Sequence, residues 1–193
     1  MIQNEDFQDE MGNNHIATSA QTPMRDDAFA ISDDEKIELI KKDVENILNT
    51  LGLDLTDDSL KGTPNRVAKM FVKEIFGGLN PVKKPSSSTF DNKYKYNSNG
   101  TVVGLSKMNR IVDYFAKRPQ VQERLTIQVV QELQKVLGTD DVACVIDAKH
   151  LCVNSRGIRD IESSTVTAEF GGKFKEDKVR REFLDYIKLD TQF

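Results

Sequence analysis

Histidine and cysteine are scarce in this chain of 193 residues, which holds two of each: His15, His150, Cys144 and Cys152. Two cysteines cannot build a disulfide framework, so a reducing, cytoplasmic setting is the expectation. No long apolar run is present either. The longest clean one is Val142 to Ile146, against the ~20 residues a membrane span needs. A basic excess is missing as well. Lys plus Arg number 27 and Asp plus Glu 31, a formal charge of −4. General nucleic-acid binding draws on surplus positive charge that neutralises phosphates. Neither nucleic acid nor a membrane is therefore an expected partner, although a local basic site remains open. The opening stretch is acidic and amide-rich (Asn4, Glu5, Asp6, Asp9, Glu10). A secretory signal starts basic and turns apolar, and a transit peptide avoids acids; this stretch fits neither.

What is present suits one domain of ordinary size. Residues 1–31 carry few large apolar side chains and no helical period, and they read as a disordered tail. Ser32 and Glu35 spell a capping box. Ile37, Ile40, Val44, Ile47, Leu48 and Leu51 follow at helical spacing, up to Gly52. Thr63 as N-cap and Pro64 at the first helical position open a second helix, which ends at Gly77-Gly78. Residues 32–79 thus form an N-terminal helical region. Residues 80–91 read as a linker, Lys93 to Tyr96 as the start of a strand, Asn97 to Gly100 as a turn, and Thr101 to Leu105 as a strand end. Two helices are expected next. Ser106 caps the first, with Met108, Ile111, Val112 and Phe115 inward. The second follows Pro119 and runs through Val129 and Leu133 to Gly138. Val142 to Val153 and Ser163 to Phe170 alternate as strands, and Gly171-Gly172 leads into a short C-terminal helix. Strand, helix, helix, strand, strand is an α+β pattern with antiparallel strands, and residues 80–193 form that domain.

Three stretches can carry chemistry. In Gly104-Leu-Ser-Lys-Met-Asn-Arg110, Lys107 and Arg110 sit in the first turn of a helix. Free N–H groups and a partial positive charge at that end attract anions. Two added cations oppose helix stability there and suggest a polyanion such as a phosphate chain; a solvated basic turn is the plainer alternative. Segment 104–124 holds five basic residues against two acids, so the local field is positive. Glu123 within it suits a base edge, since a carboxylate accepts two parallel N–H bonds of the kind guanine offers. A surface ion pair with Arg124 or Lys117 is the alternative. In Asp147-Ala-Lys-His-Leu-Cys-Val153, a strand puts His150 and Cys152 on one face, with Cα atoms ~7 Å apart. Imidazole and thiolate are zinc-type ligands, and a structural pair is the alternative. Cys144 lies too far along a straight strand to join them and reads as a small core hydrophobe.

Taken together, TPNRVAKMFVKEIFGGL, GLSKMNRIVDYFAKRPQVQERLT, IDAKHLCVNSRGIRD and SSTVTAEFGGKF closely resemble the GTP cyclohydrolase I family. The resemblance runs from about residue 34 to the C-terminus. It implies the tunnelling (T-) fold, an antiparallel sheet with two helices packed on one face, assembled as a toroidal decamer with sites where subunits meet. It also implies zinc-dependent hydrolysis of GTP to 7,8-dihydroneopterin triphosphate and formate, the first step towards folate or related pterins. By motif match, His150 is the general acid/base and Cys152 a zinc ligand. Gln122 and Glu123 hold the guanine edge. Arg66, Lys69, Ser106, Lys107, Arg110 and Arg156 meet the ribose and triphosphate.

One departure stands out. The family carries a Cys-Glu-His-His motif on a strand ahead of the Gly-Leu-Ser-Lys segment, supplying two more zinc ligands and a second catalytic histidine. No such motif exists here, and most of a β-hairpin is missing between Asn97 and Ser98. If the hairpin is truly lost, zinc keeps Cys152 alone, and the chain becomes a GTP-binding scaffold or regulatory form. Alternatively, the natural protein has the hairpin and this sequence leaves it out. The second reading is favoured, because the other site residues are in place. A true loss is also expected to expose Ile111, Phe115 and Val129.

Overall fold

The computed structural model describes residues 20–86, 89–91, 101–155 and 159–190. The expected strand start at Lys93 to Tyr96, the Asn97 to Gly100 turn, the junction at Asn97 and Ser98, Arg156 and most of the expected tail lie outside them.

Helix α1 spans Asp33–Thr50 and starts where the capping box places it. The Ser32 hydroxyl accepts from the Glu35 N–H at 3.2 Å, and the Glu35 carboxylate accepts from the Ser32 N–H at 2.8 Å. These bonds, the Ser32 backbone N–H foremost, hold the Glu35 carboxyl below its ordinary range. Helix α2 spans Thr63–Met70, and Gly62 rather than Thr63 is its N-cap. A π turn over Phe71–Ile75 and two 3-10 turns, Gly77–Leu79 and Pro81–Lys83, carry the chain onward.

Strands β1, Thr89–Asp91, and β2, Thr101–Val103, pair antiparallel with Phe90 opposite Val102. Helices α3, Leu105–Ala116, and α4, Gln122–Leu137, follow. Strand β3, Ala143–Ala148, pairs antiparallel with β4, Thr165–Phe170, setting Ala143 opposite Phe170 and Ala148 opposite Thr165. A one-turn helix α5, Leu151–Asn154, lies between them, and α6, Asp177–Asp190, comes last. The α+β class with antiparallel strands therefore holds. Among the described residues the strands form two separate two-stranded ladders rather than one sheet, and α4 lies against β2, β3 and β4.

The core is the α3–α4 seam: Ile111, Tyr114 and Phe115 face Val129, Val130 and Leu133, closed at one end by Val142. Val103 and Cys144 pack at its margin. Ile111, Phe115 and Val129 are all buried, so the expectation that they lie bare without the hairpin is corrected. The two helices cover these side chains mutually, with help from β2 and β3, and need no wider sheet.

Three further expectations change. The N-cap of α3 is Gly104, extended at φ −70° and ψ 144°, with Ser106 already in the first turn. The strand expected over Val142 to Val153 ends at Ala148, because its partner begins at Thr165 and nothing pairs beyond that rung. His150 is instead the N-cap of α5, and Cys152 lies in its single turn. Residues 20–31, read as part of the tail, contact the folded body. Gln128 donates to the Ala20 carbonyl at 3.0 Å, and Lys36 donates to the Ala28 carbonyl at 2.8 Å. The bond from Gln128 joins residues far apart in the chain and leaves no local pattern, while Met24 and Phe29, too few to set a period, line a cavity with Phe71, Phe76 and Leu79.

The N-terminal region meets α3 through backbone. The Gly78 N–H donates to the Lys117 carbonyl at 3.0 Å. A Cβ on Gly78 would sit 1.9 Å from the Tyr114 carbonyl oxygen. Arg118 seals the contact: it donates to the Gly78 carbonyl at 2.7 Å and lies over the Tyr114 and Phe115 rings at 4.7 and 4.6 Å. Gly138, by contrast, ends α4 at φ +65° with open space around its Cβ position. Gly78→Ala should therefore cost about 3 kcal/mol through a backbone clash. Gly138→Ala should cost about 1 kcal/mol through left-handed strain alone. Urea denaturation of both variants checks this, and equal losses would contradict it.

Candidate functional site

On α3, Lys107, Arg110, Tyr114 and Lys117 recur at i, i+3, i+7 and i+10, which stacks them on one helix face. That face looks into a cavity of about 290 Å³, whose opposite wall is Lys73, Gly77, Gly78 and Lys83. Among the described residues Asp113 is the one acid on its lining, and it holds Lys117 at 2.7 Å. Lys107 is only 8% exposed. Its ammonium has no anionic partner among the described residues. An ammonium taken out of water without a counter-charge is costly, so this geometry favours an anion in the cavity. The structure thus brings Lys107 and Arg110 together as the sequence suggests. It does not bring Ser106, Arg66 or Lys69 to the lining. Ser106 and Lys69 are exposed, and Arg66 donates to the Thr63 hydroxyl at 2.8 Å.

A second cavity, about 180 Å³ and shallower, has Arg118, Val121, Gln122, Lys149 and His150 on its lining. The buried Gln122 amide organises it. Its nitrogen lies 3.0 Å from the Ile146 carbonyl, 2.7 Å from the Thr165 carbonyl and 3.1 Å from the Thr167 hydroxyl. Three acceptors around one nitrogen fix which way the amide points, and its oxygen then faces His150 Nε2 at 3.0 Å. An amide oxygen only accepts, so His150 Nε2 carries the proton in this contact. Thr126 supports the clamp, donating to the Gln122 carbonyl at 2.9 Å and meeting the Thr167 hydroxyl at 2.7 Å. The sequence reading put Gln122 on the guanine edge; here the protein itself occupies its amide. Glu123, next along α4, is exposed. The two cavities share no lining residue.

Zinc, which the resemblance implies, finds an incomplete donor set. Cys152 is exposed on α5. Cys144 is half-buried at the core margin, where burial pushes its thiol up from the ordinary value. His15 lies outside the described residues. Among the described residues no three of His, Cys, Asp and Glu are grouped to hold a metal. A catalytic zinc takes three protein ligands, and the residues present do not fit one around Cys152. Lys73 and Lys83 line the α3 cavity, and sequence reasoning singled out neither. Their one signal was Gly77-Gly78, read only as the end of a helix.

Comparison with known proteins gives a family. The model of the family described as GTP cyclohydrolase I matches residues 40–95 and 91–188. The chain is 68% identical to GTP cyclohydrolase 1 of Flavobacterium johnsoniae, with all of both chains covered. It is 41% identical to GTP cyclohydrolase 1 of Aliivibrio fischeri, covering 90% of this chain and 93% of that protein. A further relative is GTP cyclohydrolase 1 of Haemophilus influenzae, 42% identical over the same shares. The Flavobacterium alignment runs over 223 positions, thirty more than the 193 residues of this chain. The family match breaks into two pieces at 91–95. A segment present in the relatives thus has no counterpart here, close to where the sequence reading places the missing hairpin.

The Gln122 clamp makes a test. Gln122→Ala should lower unfolding stability by about 2 kcal/mol, because it strands part-buried carbonyl and hydroxyl partners. Gln122→Glu should cost more at neutral pH, since it turns a carboxylate towards the Ile146 and Thr165 carbonyls. Denaturation midpoints decide, and a Glu variant as stable as the Ala variant would contradict the geometry.

Proposed function

The chain belongs to the GTP cyclohydrolase I family, and from that premise we propose that it is a GTP cyclohydrolase. It opens the imidazole ring of GTP by hydrolysis, releases formate and leaves 7,8-dihydroneopterin triphosphate, on the way to folate-type pterins. The observation that carries this reading is the full-length match at 68% identity, with the buried cation of the α3 cavity in support.

Each residue has a part. Lys107 and Arg110 hold the triphosphate, with Ser106, Arg66, Lys69 and Arg156 as further partners of ribose and phosphates. Glu123 accepts the N1–H and 2-amino bonds of guanine. His150 moves a proton at the imidazole ring, and Gln122 positions it. Zinc is the metal the family implies, and Cys152 is the ligand this chain retains for it. Because the donor set does not fit a catalytic zinc, no step is assigned to the metal here.

Assembly completes the site. The phosphate cavity and the His150 cavity share no lining residue, and in the family the site forms where subunits meet. Leu105, Met108 and Val112 leave an apolar stripe exposed along α3, with Leu105 74% exposed. Leu151, Ile161 and Val166 are exposed on the β3–β4 side. Burying such surface drives association, in keeping with a homo-oligomer and with the toroidal decamer of the family. No helix among the described residues is long and apolar enough to cross a membrane. A reducing cytoplasm is the setting that leaves Cys144 and Cys152 as thiols.

Formate release from GTP tests the proposal. One formate should appear per GTP consumed. His150→Ala should slow turnover by about 10²–10⁴-fold while GTP affinity stays near that of the parent. GTP bound and returned intact, without formate, would overturn it and leave a nucleotide-binding scaffold.

A further inference from the structure

We propose that Lys73 and Lys83 belong to the phosphate-binding set. With Lys107 and Arg110 they hold a chain of phosphates from two walls of one cavity, so that the site selects a triphosphate over a single phosphate. The inference rests on the reading of Lys107 and Arg110 given above and adds the opposite wall to it.

Lys107 is the starting point: more than nine-tenths buried, lining the cavity, and without an anionic partner among the described residues. That burial marks the cavity as built for negative charge. Lys73 and Lys83 line it from across. Their present partners are Asp34 and Asp33, each at 3.8 Å, and both lysine side chains remain more than a third exposed. Ion pairs this long and this wet contribute little.

The two aspartates do not depend on the lysines. Both lie in the first turn of α1, where the helix dipole favours carboxylates. Asp33 also accepts from the Asn80 side-chain amide at 3.2 Å. The lysines can therefore exchange carboxylate for phosphate without leaving a stranded acid. Bare backbone helps the exchange: even a Cβ on Gly77 would sit 3.5 Å from Lys83 Nζ, so the lysine chain lies close along that wall. Of the lining cations only Lys117 is neutralised inside the cavity, by Asp113. The four that remain match a polyphosphate and exceed what one phosphate needs.

Titration calorimetry on the intact chain tests this, with inorganic tripolyphosphate as the probe and orthophosphate as the comparison. Lys73→Gln and Lys83→Gln should each weaken tripolyphosphate about tenfold and change orthophosphate far less. Lys107→Gln should weaken both. If the double variant K73Q/K83Q binds tripolyphosphate like the parent while Lys107→Gln does not, the opposite wall takes no part and the inference fails alone. If Lys107→Gln also binds like the parent, the cavity is not the anion site and the underlying reading falls with it.

Discussion

The approach of the Gly78 backbone to the Tyr114 carbonyl sets how closely the N-terminal helical region lies on α3, and the cation-lined cavity between them follows from that distance. A methyl group at 78 would overlap the carbonyl oxygen, so the contact exists only for glycine. Once it forms, the Gly78 N–H and carbonyl are both satisfied, by the Lys117 carbonyl and by Arg118. Lys73 and Lys83 are then carried to one side of a cleft whose other side is Lys107 and Arg110. Two chain segments distant in sequence thereby line one cavity rich in cations.

A second constraint acts on the other half of the chemistry. The Gln122 amide ties the start of α4 to both strands of the β3–β4 ladder and to His150. The histidine sits just past the last paired rung, where a strand would otherwise fray. Its proton-bearing nitrogen is set by an amide whose own orientation is fixed by three acceptors. The same side chain therefore sets the orientation of His150.

Local features were legible in the sequence. The capping box of Ser32 and Glu35 needs only four consecutive residues, and it marks the start of α1. Gly138 closes α4 in the left-handed region, as a glycine after a helical run should. That Lys107 and Arg110 share one face, and so one cavity, was legible from their spacing. What stayed hidden depends on partners far along the chain. The strand after Val142 was read too long, since alternation says nothing about where β4 stops pairing. The contacts of Ala20 and Thr22 with Gln128 carry no local pattern. Lys73 and Lys83 carry no local signal of their place across from α3, which the glycine pair sets.

In the proposed function, recognition of the nucleotide and the metal chemistry draw on different residues. The described residues group four cations with Lys117 around one cavity, whereas they group no three metal donors around Cys152. GTP affinity should then be set by the cavity and not by zinc. Equilibrium dialysis of GTP against the intact chain, with and without a zinc-selective chelator, measures this directly. The account expects the same affinity in both arms. A loss of GTP binding on chelation would contradict it.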